Sequence, residues 1–132
     1  MTMTLVSAWV FGVLTTVTIL FQFALAFGAP WGEFTLGGRH RGVLPGAWRF
    51  VPVGSAAVLA AFMAVVFTRA GLFFPEWVEA SRTLIWLVVG YCALGCIANT
   101  ATRSPRERLI WLPVVAVLLI TSLIVAFSDS DV

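Results

Sequence analysis

Four stretches of this chain carry no charged side chain: residues 1–32, 50–68, 83–102 and 109–128, which are 32, 19, 20 and 20 residues long. A helix rises about 1.5 Å per residue, so about 20 residues cross the roughly 30 Å hydrocarbon core of a bilayer. Each run is long enough. An arginine at the centre of such a helix costs about 2.5–3.5 kcal/mol on insertion, and none of the runs contains one. The runs are continuously apolar rather than alternating with period two, which favours helices over the strands of a membrane barrel. Composition argues against the other option, helices buried in a water-soluble domain. Of 132 residues, 61% are hydrophobic and 11% charged, with mean hydropathy +1.02, whereas a soluble domain is about 45–50% apolar and about 25% charged. An ordinary cytosolic enzyme and a basic nucleic-acid binder are excluded on the same ground. The pattern predicts an all-α polytopic membrane protein, one domain over 1–132, folded as an antiparallel bundle of four transmembrane helices. The spans are placed at 5–27, 50–68, 83–102 and 109–127, with a glycine-rich loop at 28–49.

The six tryptophans give an independent check, because indole favours the membrane interface, where the ring is half-buried and its N–H reaches water. Trp9, Trp77 and Trp86 fall at one set of helix ends, and Trp31, Trp48 and Trp111 at the other. Ser104-Pro105-Arg106-Glu107 has the form of a capping box with proline at the first helical position, so the last helix is expected to start there. Pro75, with Glu76 and Glu79, suggests that the third helix begins in the loop before its uncharged run, and Pro45 suggests the same for the second. Pro52 and Pro113 lie inside their runs and are expected to kink the second and fourth helices.

Arginines supply all the basic charge of the chain. Arg39, Arg41, Arg49, Arg103, Arg106 and Arg108 lie in the first and third loops, Arg69 and Arg82 in the second, and the tails hold none. The positive-inside rule then places loops one and three in the cytoplasm and both termini outside the cytoplasm, in a cell (inner) membrane. Ala24-Leu25-Ala26 has the form of a signal-peptidase site. A basic n-region is missing, however, and the apolar stretch from Leu5 to Phe27 exceeds the about 7–15 residues of an h-region, so cleavage is not expected.

Few residues in the spans offer chemistry. Cys92 and Cys96 stand four apart on one helix, where Cβ atoms are about 5–6 Å apart, too far for a disulfide, and read as packing thiols. Gly95 and Asn99 share their face, a small-residue stripe suited to close helix contact. Thr15, Thr18 and Gln22 form a second polar stripe, expected to bond a neighbouring helix or their own backbone. Gln22 and Asn99 belong to the same half of the bundle, next to loop one, which allows a shared polar pocket there.

Six of the eleven glycines lie between Gly28 and Gly46. Around Gly37-Gly38 positive φ angles would let successive N–H groups converge on an anion, with Arg39 and Arg41 adding charge. A ligand phosphate or carboxylate would suit that nest, and Glu33 would pair with an arginine or accept from a ligand amine. The alternative is a tight turn with topogenic charges. His40, the single histidine, is flanked by two arginines and is a poor metal or haem ligand. The candidate ligand-binding set is Trp31, Glu33, Arg39, His40, Arg41, Gln22 and Asn99; no catalytic residue, metal or cofactor is called for.

Ala29-Pro30-Trp31-Gly32, Gly37-Gly38, Gly42, Leu44-Pro45 and Arg49, followed by three further spans, resemble a family of small, uncharacterised four-span bacterial membrane proteins. The likeness covers the layout of most of the chain but only about twenty residues of motif, and it implies no activity or substrate. Three functional classes stay open. The first is a non-catalytic protein that binds a lipid headgroup or small anionic ligand, or serves as an accessory subunit of a membrane complex. The second is a membrane-embedded enzyme with Glu33 and His40 as an acid-base pair. The third is a small transporter made by homo-oligomerisation, since four short helices enclose little beyond their own core. The expected partners are the bilayer, an anionic lipid or small ligand, further copies of the chain or a larger membrane complex, and no nucleic acid.

Overall fold

A computed structural model describes residues 2–128; Met1 and the C-terminal end, including Val132, lie outside the described residues. Four helices account for most of it: α1 (Met3–Ala26), α2 (Phe50–Arg69), α3 (Val78–Ala101) and α4 (Pro105–Ala126). All four are long and apolar enough to cross a membrane, and no strand occurs among the described residues. Each helix packs on its two neighbours in a ring, α1 against α2 and α4, and α3 against α2 and α4.

Local sequence explains most boundaries. Thr2 caps α1 by accepting from Leu5 N at 3.2 Å, and Gly28, at φ +105°, lets Ala29 N reach back to Ala24 O at 2.9 Å to close its end. Pro45 precedes a 3-10 turn, Gly46–Arg49, that leads into α2, and the 3-10 turn Pro75–Trp77 leads into α3. Ser104 caps α4, accepting from Glu107 N at 3.2 Å, with Pro105 as the first helical residue. Pro52 behaves differently from expectation. Because α2 starts at Phe50, this proline lies in the first turn, where its missing N–H has no helical partner to lose. At Pro113 the helix continues without a break.

The bundle has a thin core and an oily exterior. Ala8, Phe11, Val66, Ile85, Val88 and Val125 are buried between the helices, while Leu20, Leu87, Leu94 and Ile97 are each more than 60% exposed. That inversion suits a helix surface solvated by acyl chains, and the protein is a multi-pass membrane protein. Small residues bring the helices together: a Cβ on Gly12 would meet the Phe67 ring, and one on Gly95 would lie 2.9 Å from Val115. Hydroxyls and amides in the spans mostly donate to their own helix, as Thr18 does to Leu14 O and Asn99 to Gly95 O, each at 2.8 Å. Thr15 is fully buried with its hydroxyl unpartnered among the described residues.

The two ends of the bundle differ. Trp9 packs on Phe67 and Trp86 on Phe127, with ring centroids 5.3 and 5.2 Å apart, at the end holding Thr2 and Ser128. Arg69 also belongs there. It is not a loop residue: it completes α2, is 5% exposed, and its Nη2 donates to Ser128 O at 2.7 Å. Trp31, Trp48 and Trp111 sit at the opposite end, with loop one.

Candidate functional site

Loop one folds back on itself before it meets the helices. Gly32 N donates to Gly42 O at 2.8 Å, and the two strands of the loop run so close that a Cβ on Gly32 would collide with the backbone carbonyls of His40 and Gly42. Two short 3-10 turns follow, Gly32–Phe34 and Leu36–Gly38. Three consecutive positive φ angles, +52° at Leu36, +69° at Gly37 and +75° at Gly38, turn the chain toward α4.

Four hydrogen bonds dock this turn on the start of α4. Ser104 Oγ donates to Glu33 O at 2.7 Å, and Arg106 Nη1 donates to Glu33 Oε1 at 2.7 Å. Gly37 N donates to Glu107 Oε2 at 2.8 Å, and Trp111 Nε1 donates to Phe34 O at 2.8 Å. From the other side, Arg49 Nε donates to Leu44 O at 3.0 Å, with its guanidinium beside Gly28.

These contacts change the expected role of the loop. The Gly37 N–H does meet a carboxylate, as its geometry invites, but that carboxylate is Glu107 of the same chain rather than a ligand. Glu33 pairs with Arg106 on α4, not with Arg39 or Arg41 beside it. Both of those arginines are exposed and form no ion pair among the described residues. The His40 ring lies tilted 5.0 Å from Trp48 with Nε2 unpartnered, and no hydrogen bond joins it to Glu33. Trp31 is half-exposed and parallel to Phe21, which in turn packs on Trp111. The five loop-one residues therefore do not converge on one point.

Gln22 and Asn99 share a cavity. Both line a cavity of about 410 Å³ in the loop-one half of the bundle, within the about 300–1,000 Å³ of small-molecule sites. All four helices and Phe34 and Thr35 of loop one line it, and it is partly open, with Tyr91 and Leu94 of its wall exposed. No protein-family model, curated protein or solved structure matches the chain. The cavity must therefore be read from its walls. Near the mouth lie Glu107, Asn99 and Gln22; one to three turns deeper come Ser55, Trp111 and Tyr91; Leu59, Val114 and Leu118 form the apolar floor. Trp31, Glu33, Arg39, His40 and Arg41 do not line it.

Glu107 and Ser104 were legible only as a helix cap. The capping-box spacing identifies Ser104 as the acceptor for Glu107 N, and that bond forms. The reciprocal one does not: Ser104 N instead donates to Thr102 Oγ1 at 3.3 Å, which leaves the Glu107 carboxylate free to hold Gly37 and face the cavity. Ser55 and Tyr91 carried no sequence signal, because single polar residues in apolar runs show no spacing that points to a common centre.

Proposed function

We propose that this protein is a non-catalytic membrane protein that binds a small amphipathic molecule in the cavity under loop one. The observation that supports this reading is a partly open pocket of about 410 Å³ at the end of the bundle where all four helices and loop one converge. Its apolar floor and polar mouth match the usual build of a ligand pocket, mostly hydrophobic with a few oriented polar groups. The acid-base reading lacks comparable support, since Glu33 is held by Arg106 and His40 by Trp48, both away from the cavity. The same reading keeps loops one and three in the cytoplasm, where Arg39, Arg41, Arg103 and Arg108 meet lipid phosphates. The chain would then reside in a bacterial inner membrane.

Two cavity-filling variants test the proposal, Ser55→Leu and Ala98→Phe, purified in mild detergent beside the wild type. Mass spectrometry of the intact complexes should show a small molecule retained by the wild type and lost from both variants, while all three keep helical circular dichroism. Equal retention in all three would place the ligand elsewhere.

A further inference from the structure

The charges around the cavity are distributed unevenly. Glu107 is the one charged side chain among its lining residues, and none of the eight arginines reaches it. Arg106 and Arg108 flank Glu107 in sequence, yet both are committed elsewhere, Arg106 to Glu33 and Arg108 to Thr102 O at 2.8 Å. Glu107 therefore has no cation of its own. Its Oε2 accepts from Gly37 N, and Oε1 has no partner among the described residues, although a carboxylate offers about four lone-pair sites.

The neighbouring amides are neutral and can accept as well as donate. Asn99 gives one Nδ2 hydrogen to Gly95 O and keeps its Oδ1 to accept, and the Gln22 carboxamide forms no hydrogen bond with another described residue. Trp111 also lines the wall, an aromatic of the kind that attracts a cation and not an anion, whereas the Phe34 ring already has the Arg106 guanidinium 6.0 Å from its centroid. Below this mouth the walls are mostly apolar as far as Leu118, with the uncharged hydroxyls of Thr18, Ser55 and Tyr91 among them.

From this arrangement we infer that the cavity takes an amphipathic amine: one positively charged, N–H-bearing head at Glu107, with a single short apolar body reaching toward Leu59 and Leu118. The inference rests on the cavity reading above and reverses the expected ligand charge. An anionic head would meet the Glu107 carboxylate with no arginine to offset it. A volume of about 410 Å³ lies in the range of small-molecule sites, which suits a single-chain occupant.

The test uses octylamine, octanol and octanoate, which share a chain and differ in the head. Each is titrated by calorimetry into wild-type protein in nanodiscs of zwitterionic lipid, with empty discs as the blank. Octylamine should bind roughly tenfold or more tighter than octanoate, the scale of a charge-assisted hydrogen bond. Glu107→Gln, which keeps an oxygen for Gly37 N–H but removes the charge, should abolish most of that preference. If Ser55→Leu removes binding of the probes while wild type binds octanoate as well as octylamine, the cavity reading stands and the amine inference falls. Retention of the preference in Glu107→Gln would also overturn it. Binding of no probe, or unchanged binding in Ser55→Leu, would overturn the cavity reading itself. The wild-type amine-to-carboxylate ratio decides the matter even if Glu107→Gln does not fold.

Discussion

Glu107 and Gly37 are 70 residues apart in sequence and joined at 2.8 Å, carboxylate to backbone N–H. The acid that should complete the capping box of α4 instead anchors the left-handed turn of loop one. One helix terminus thus sets where its own helix begins and where the loop over the cavity lies.

The Ser104 hydroxyl should matter more to stability than the neighbouring ion pair. It accepts from Glu107 N and donates to Glu33 O, and it is buried. Losing a cap alone costs about 1 kcal/mol, so Ser104→Ala should cost about 1–2 kcal/mol with the second bond included. Arg106 is 65% exposed and Glu33 30%, and a pair of that exposure contributes about 0–1 kcal/mol. Glu33→Gln should therefore be the milder change. Thermal unfolding of the two variants in one detergent compares them, and the reverse order would show that the ion pair dominates.

Loop one should reject a methyl group at Gly32 and accept one at Gly46. A Cβ at Gly32 has backbone carbonyls on its path, whereas one at Gly46 meets nothing within 4 Å. Gly32→Ala is expected to destabilise by about 1–3 kcal/mol, the range for forced overpacking, and to speed amide exchange across residues 32–42. Gly46→Ala should leave both near wild type. Hydrogen exchange read by mass spectrometry distinguishes them.

Cys92 and Cys96 are free, the first buried and the second partly so. Mild oxidation should not change electrophoretic mobility through an internal crosslink. Cys96→Ala should be close to neutral, and Cys92→Ala should cost about 1 kcal/mol for a void the size of a methyl group. A redox-dependent mobility shift that disappears in either variant would contradict this.

The proposed orientation rests on arginine placement, and the asymmetry is sharper because the Arg69 guanidinium is folded against Ser128 rather than displayed in a loop. An alkaline phosphatase fusion to the C-terminus should be active and a green fluorescent protein fusion dark in a bacterial host. The opposite pair of results would invert the topology and leave the four spans intact.

Four spans, the division of the tryptophans between the two bundle ends and the Ser104 cap were determined by sequence alone, since each depends on physics within one helix: uncharged length against bilayer thickness, indole near helix ends, a hydroxyl three residues from an N–H. That Gln22 and Asn99 share one half of the bundle was legible too, because antiparallel spans of known length fix which residues share a half. Tertiary structure decided what those rules do not reach. Glu33 had arginines six and eight residues away and paired with Arg106, 73 residues away, because the Gly32–Gly42 crossing fixes the direction in which its carboxylate points. Gly37 could have held any anion, and received Glu107 because the same fold carries that N–H to the first turn of α4. Charge sign and glycine content are properties of composition, whereas the choice of partner depends on distance, which only the packed chain sets.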